Sequence, residues 1–153
     1  MSDPLVTELR EVKIIDGFLR NAREMVVGEV SDYKGKTYGF LRILVPSAHG
    51  DGEWAPAGGM GIEAARVGEL RDAVALLLDS ASTDKVVARI PVGREEIHVG
   101  LQTFRGEPYA FVRRFYKKGD EWKPGRSGVN VHVDRLEDLM DLLNRLAAAA
   151  PSV

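Results

Sequence analysis

The sequence has no cysteine and three histidines among its 153 residues. The lack of cysteine excludes disulfides, thiolate zinc sites, iron–sulfur clusters and a cysteine nucleophile. Of the histidines, His98 and His132 fall on predicted strands at positions that do not recur between the two halves of the chain. A lone strand histidine is more often a surface or satisfied core residue than a ligand. The sequence therefore predicts no metal site and no cofactor.

Long hydrophobic runs are also missing. The sequence has no run of about eighteen apolar residues, the length that a membrane span needs, and it begins MSDPLVTELR, which is acidic and polar rather than basic and then apolar. We therefore expect no membrane segment and no secretory signal, and a cytoplasmic protein for which association with the nucleoid stays open. The apolar fraction of 44% suffices for one ordinary domain or two very small ones.

Catalytic fingerprints are absent or weak. The chain has no Gly-rich loop followed by a Walker lysine and no G-x-S-x-G motif. Gly59, Gly61 and Ala64 fit G-x-G-x-x-A, but that fingerprint requires a buried strand directly upstream, where the chain instead reads GDGEWAPA. His49 and Asp51 form an isolated pair in a polar segment. We predict that the protein is not an enzyme.

The two halves of the chain differ in charge. Residues 1–80 hold 9 Lys and Arg against 13 Asp and Glu, whereas residues 81–153 hold 12 against 10. Residues 105–126 alone contain seven basic and three acidic side chains. The net charge of −2 argues against general binding of polyanions, so charge alone favours a solvated face for this basic stretch.

The sequence repeats itself at an offset of about 70 residues, which indicates two copies of one structural unit. The segment DYKGKTYGFLRI aligns with TFRGEPYAFVRR, and five pairs share an offset of 71. These pairs are Tyr33 with Phe104, Gly35 with Gly106, Tyr38 with Tyr109, Phe40 with Phe111, and Arg42 with Arg113. Trp54 with Trp122 and Pro56 with Pro124 follow at an offset of 68.

Each copy is predicted to fold as four strands followed by one helix. Alternating or β-branched runs predict strands over residues 12–19, 24–33, 37–45 and 60–64, and over 86–90, 96–104, 108–116 and 127–133. Gly106 and Gly125 are predicted to lie in the two hairpins of the second copy. Its helix is predicted to begin at an N-cap, Asp134, and to end near Ala149. The apolar faces of the two helices are expected to be buried together.

The second copy resembles a known family. From Phe104 onward the chain reads FRGEPYAFVRRFYKKGDEWKPGRSGV, which is similar to the C-terminal domain of the positive cofactor four family of transcriptional coactivators. Those proteins bind single-stranded DNA. The resemblance implies an α+β fold of two ββββα repeats, a Whirly-like architecture in which each repeat is a curved antiparallel sheet with one helix. Because members dimerise through their helices, one chain with two copies implies an intramolecular pseudo-dimer.

The resemblance also implies a domain organisation and a set of binding residues. The predicted parts are an N-terminal arm over residues 1–11, a divergent first repeat over 12–80, a second repeat over 84–149 and a tail over 150–153. The implied nucleic-acid-binding residues are Tyr33, Lys34, Lys36 and Arg42 in the first repeat, and Phe104, Arg105, Arg113, Tyr116, Lys123 and Arg126 in the second. In such sites basic side chains follow phosphates and aromatic rings stack on bases. The aromatic residues Tyr38, Phe40, Tyr109 and Phe111 are instead predicted to be core residues.

Three departures from the family pattern weaken the expected surface. Glu107 stands where a basic residue is usual, Val45 stands where the second repeat has Tyr116, and APAGGMG has no basic hairpin residue. The leading prediction is single-stranded DNA binding in transcription regulation or on melted DNA, with transcription or repair proteins as partners. Two alternatives stay open: RNA binding, and a protein-interaction module that has kept the fold. The chain is expected to be a pseudo-dimeric monomer or a higher homo-oligomer.

Overall fold

A computed structural model describes residues 12–48, 52–79 and 84–149. The predicted arm over residues 1–11, the tail over 150–153 and the pair His49 and Asp51 lie outside these described residues. Among the described residues, no helix is long and apolar enough to cross a membrane.

The described chain forms two units with the same order of elements. The first unit consists of β1 (Val12–Asn21), β2 (Glu24–Tyr33), β3 (Lys36–Pro46), β4 (Trp54–Glu63), a 3₁₀ turn (Ala64–Arg66) and α1 (Val67–Leu78). The second unit consists of β5 (Lys85–Val92), β6 (Glu95–Phe104), β7 (Glu107–Lys118), β8 (Glu121–His132), a 3₁₀ turn (Val133–Arg135) and α2 (Leu136–Ala149). The predicted α+β fold with two ββββα repeats is confirmed.

Each unit is an antiparallel meander with its strands paired in sequence order, β1 to β4 and β5 to β8. Because side chains alternate along a strand, each sheet has two faces. The helix face carries buried residues such as Leu41 in β3 and Val112 in β7. The opposite face, here called the outer face, carries Arg42 and Arg113, which occupy equivalent positions in β3 and β7. The offset of 71 between the repeats therefore matches the strand register.

The helices are exchanged between the units. Helix α2 packs on β1 and β2 of the first sheet, α1 packs on β5 and β6 of the second, and the two helices pack on each other. Gly28 in β2 permits this approach, since an added Cβ would lie 3.0 Å from a side-chain carbon of Leu142. One continuous apolar core therefore spans both units, as expected from the two apolar helix faces.

Three local predictions from the sequence are wrong. The second helix does not begin at an Asp134 cap: a 3₁₀ turn precedes it, and His132 Nδ1 accepts a hydrogen bond from the Asp134 backbone N–H at 3.1 Å. Gly125 does not lie in a hairpin turn but inside β8, at a bulge opposite Arg114, and Gly119, with φ of +64°, lies in the turn. The fourth strands also begin earlier than predicted, at Trp54 and Glu121.

Candidate nucleic-acid interface

The tips of two equivalent hairpins each present an aromatic ring beside a cation. Lys34 and Arg105 adopt positive φ angles of 49° and 52°, each followed by a glycine with positive φ, which is the geometry of a tight two-residue β-turn. Lys34 Nζ lies 5.3 Å from the Tyr33 ring centroid, and Arg105 Cζ lies 5.2 Å from that of Phe104. The Phe104 residue is 54% exposed and Tyr33 37%. Both hairpins therefore offer a ring and a charge to solvent.

Behind the tips, the outer faces of the two sheets carry different charges. In the first sheet, Arg42 Nε donates to Glu29 Oε2 at 3.2 Å, and its guanidinium lies over the Phe40 ring. In the second sheet, Arg113 donates instead to backbone carbonyls of the β7–β8 hairpin, to Gly125 at 3.0 Å. No described carboxylate forms an ion pair with Arg113. Its charge is therefore not neutralised, unlike that of Arg42.

The other predicted basic residues differ less between the units, since Lys34 of the first unit also has no ion pair within the described ranges. Lys36 in the first unit pairs with Glu63, with 4.0 Å between Nζ and Oε1. Among the described residues, Arg105 and Arg126 in the second unit have no ion pair, whereas Lys123 pairs with Glu121 at 2.7 Å. That last pair is exposed on both sides, so solvent screens it strongly.

The β7–β8 hairpin extends past the end of β6, because β6 pairs with β7 no further than Phe115. Tyr116 is exposed on this extension and lies on the opposite face of β7 from Arg113. At the base of the hairpin, the rings of His98 and Phe115 stack with 4.0 Å between centroids, and His98 Nε2 lies 3.0 Å from Glu96 Oε1. The predicted binding residues of the second unit thus divide between two faces, with Tyr116 apart from Phe104 and Arg113.

Two clefts lie where the sheets meet. The first-unit cleft, about 580 Å³, includes Tyr33, Tyr38, Phe40 and Glu63 together with Arg114 of β7. The second-unit cleft, about 460 Å³, includes the equivalent residues Phe104, Tyr109 and His132 together with Arg20 and Glu24 of the first unit. Tyr38, Phe40 and Tyr109 are therefore half-buried on the outer faces, and their prediction as core residues is wrong. Phe111 is buried.

An arginine of the other unit closes one side of each cleft. Arg20 donates to the backbone carbonyl of Asn130 at 2.8 Å and pairs with Glu24 at 2.9 Å. The hydrogen bond from Arg20 to the Glu24 carboxylate is the main cause that lowers the pKa of Glu24. Arg114 donates to the carbonyl of Gly61 at 2.6 Å and pairs with Glu95 at 3.3 Å. The two glutamates occupy equivalent repeat positions. Each arginine thus joins a glutamate of its own unit to a backbone carbonyl of the other unit. The two arrangements, Arg20 with Glu24 and Arg114 with Glu95, are here called the arginine bridges.

Sequence reasoning missed the residues that the second-unit cleft takes from both units. They are Arg20, Asn21, Glu24, Gln102, Asn130 and His132. Gln102, Asn130 and His132 are polar residues at outer-face positions of strands, a signal present in the alternation. The contact of β1 with the second sheet has no such signal, because the repeat does not specify how its copies face each other. No group of three or more metal-ligating side chains is found in the described ranges.

The second unit is the part of the chain that a comparison with known families recognises. Residues 94–142 match the family model of Transcriptional Coactivator p15 (PC4). The resemblance predicted from the sequence is therefore confirmed. The PC4 match begins at the β5–β6 turn and ends within α2, so it includes Phe104 and Arg113 and excludes the first unit.

A solved structure, a PC4 homolog from Burkholderia pseudomallei, is similar to this chain with 21% sequence identity and a TM-score of 0.40. The similarity covers 48% of this chain and 100% of that homolog. No curated protein sequence matches the chain.

Proposed function

We propose that the protein binds single-stranded DNA, chiefly on the outer face of its second sheet, and acts in transcription regulation or on melted DNA. The observation that carries this proposal is the combination of an exposed Phe104 ring with the unneutralised Arg105 and Arg113, within the PC4-matched segment. A strand laid on this face would stack a base on Phe104 and place phosphates near the guanidinium groups. Such stacking contributes roughly 1–3 kcal/mol per base.

The ten binding residues implied by the resemblance have unequal parts in this proposal. Phe104, Arg105, Arg113 and Arg126 form the main surface, while Tyr116 and its cross-strand partner Lys123 contact DNA that passes over the hairpin. Tyr33, Lys34, Lys36 and Arg42 form a weaker surface, because Glu29 neutralises the central cation, Arg42. The first unit therefore adds less to the affinity than its sequence alignment suggests.

The test is the fluorescence anisotropy of an oligo-dT about twenty nucleotides long, against duplex DNA and single-stranded RNA of equal length. We expect tighter binding of oligo-dT than of the duplex, with an affinity that falls as salt rises from roughly 50 to 200 mM. Tighter binding of RNA would replace DNA with RNA as the ligand. No binding at low salt would overturn the proposal and favour the protein-interaction module.

A further inference from the structure

The second-unit cleft holds amide side chains that binding by stacking and charge does not use. Gln102 and Asn130 are among its lining residues, on the outer face of the second sheet, with Asn21 on the β1–β2 hairpin opposite. The ring of Phe104 lies at the cleft with 6.4 Å between its centroid and that of Tyr109. An exposed aromatic ring and three amide side chains thus line one cavity.

One of these amides has an unused hydrogen-bonding atom. Asn130 Oδ1 is buried and has no hydrogen-bond partner among the described residues. Buried polar atoms in folded proteins are nearly always hydrogen-bonded to protein or water, so this unpaired acceptor is available to a group that enters the cleft. The terminal torsion of asparagine has broad preferences, which allows the amide to turn toward a group in the cleft. The backbone carbonyl of Asn130 is already engaged by Arg20.

The first-unit cleft provides an internal comparison. By strand register, Gly61 occupies the position of Asn130, opposite Phe40 as Asn130 is opposite Phe111. Ser31 likewise occupies the position of Gln102. The first-unit cleft therefore has aromatic residues like those of its counterpart but no amides at these two positions. The amides are thus a property of the second-unit cleft and are not required by the repeated fold.

We propose that the second-unit cleft binds one base of the single strand and recognises adenine through the amides of Asn130 and Gln102. This inference rests on the proposed function and adds a base preference to it. Bases of single strands can be splayed out and read on their edges while they stack on aromatic side chains. A cleft of about 460 Å³ is large enough for this role, since small-molecule sites range from roughly 300 to 1,000 Å³.

Of adenine and thymine, adenine is the base that fits the chemistry of these side chains. An asparagine or glutamine amide accepts a hydrogen bond from the N6 amino group of adenine and donates one to N7. Thymine presents the O4 acceptor and a methyl group on the same edge, so it offers no equivalent donor there. The unpaired Oδ1 of Asn130 therefore favours adenine over thymine.

The test measures by anisotropy the affinity for three oligomers: plain oligo-dT, the same oligomer with one central dA, and the same oligomer with one central 7-deaza-adenine. For the wild-type protein we expect the dA oligomer to bind at least about fivefold more tightly than oligo-dT. The 7-deaza-adenine oligomer, which lacks the N7 acceptor, should lose most of that gain.

Two variants convert the second-unit cleft toward its first-unit counterpart. Asn130→Gly and Gln102→Ser introduce the residues found at the equivalent positions of this chain, and both should reduce the preference for dA to less than about twofold. Affinity for plain oligo-dT should stay within about twofold of wild type. If Asn130→Gly destabilises β8, as thermal melting would reveal, Gln102→Ser still gives the result.

The outcomes separate this inference from the proposed function. Equal affinity of the wild-type protein for the dA and dT oligomers, or a dA preference that persists in both variants, overturns adenine recognition and leaves strand binding intact. A failure of every oligomer to bind overturns the proposed function, and adenine recognition with it.

Discussion

The two sheets of this protein have the same fold, and they differ in the charges on their outer faces. Arg42 and Arg113 occupy the same position in β3 and β7, yet Arg42 pairs with Glu29 and Arg113 with backbone carbonyls. Glu29 corresponds to Gly100 of the second sheet. A carboxylate on a neighbouring strand thus decides whether an equivalent arginine is available to a phosphate. The comparison teaches that a repeat can keep a binding position while losing its charge.

Replacing the aromatic ring at each hairpin tip should give the largest contrast between the units. We expect Phe104→Ala to weaken oligo-dT binding by about tenfold or more, and Tyr33→Ala by about twofold, because a stack contributes roughly 1–3 kcal/mol and Tyr33 lies on the weaker surface. Anisotropy titrations measure both. Since both rings are exposed, the melting temperature should change little. Unfolding of Phe104→Ala would mean that this ring is structural, and equal losses would mean a symmetric surface.

Replacing the two equivalent arginines, Arg113 and Arg42, should give the second-largest contrast in oligo-dT binding. Arg113→Gln should weaken oligo-dT binding by about tenfold at low salt and reduce the slope of log affinity against log salt by about 0.7, the value for one phosphate contact on a single strand. Arg42→Gln should weaken binding by only about two- to threefold, through the unpaired Glu29 carboxylate that it leaves, and should change the slope little, because the paired Arg42 makes no phosphate contact. A salt series for the two variants decides, and equal changes in slope would contradict the asymmetry.

Removing the Glu29 carboxylate should make the outer face of the first sheet bind DNA more like that of the second. We expect Glu29→Gln to raise the affinity for oligo-dT by about two- to threefold, since it frees Arg42 and removes a negative charge from the outer face. Asp141→Asn is the matched control, because it changes the net charge equally at an exposed position on α2. An equal gain in both variants would show that net charge alone sets the affinity.

The arginine bridges should give the smallest effect. We expect Glu24→Gln to lower the melting temperature at pH 7 by about 1–3 °C. Arg20 lowers the pKa of Glu24 below its ordinary value of 4.5, so the carboxylate stabilises the fold above pH 4.5 and that contribution is lost as the pH falls through the lowered pKa.

The difference between wild type and Glu24→Gln should therefore shrink in acid. Thermal melts from pH 7 to pH 3 measure it. Glu95→Gln, the equivalent change at the other bridge, should lower the melting temperature less at pH 7, because its contact with Arg114 is longer. A difference between wild type and Glu24→Gln that stays constant across pH would rule out this contact as the source.

Much of the fold was predictable because it depends on local signals. The alternation in residues 24–33 gave the bounds of β2, and Gly35 and Gly106 marked the two tight turns. The fourth strands were predicted too short because Pro56, Gly58 and Gly125 interrupt the alternation, although edge strands tolerate such residues. Local pattern thus predicts strands reliably where side chains alternate, and poorly at edges.

The candidate site was predictable only within each repeat. The hairpin tips and the central arginines follow from the alignment of the copies, whereas the clefts form between them. Arg20 contacts the Asn130 carbonyl across 110 residues of sequence. Nothing in either segment alone indicates that contact, and the ion pair that neutralises Arg42 depends on a cross-strand neighbour. Packing between units therefore decides which predicted residues are accessible and charged.

The most direct test of the central claim is photo-crosslinking of the wild-type protein to an oligo-dT that contains 4-thiothymidine, with the attachment sites mapped by mass spectrometry. Our account predicts that most crosslinks lie on the outer face of the second sheet, at Phe104 and at other residues of the second-unit cleft. Crosslinks divided equally between Tyr33 and Phe104, or concentrated in the first unit, would contradict it.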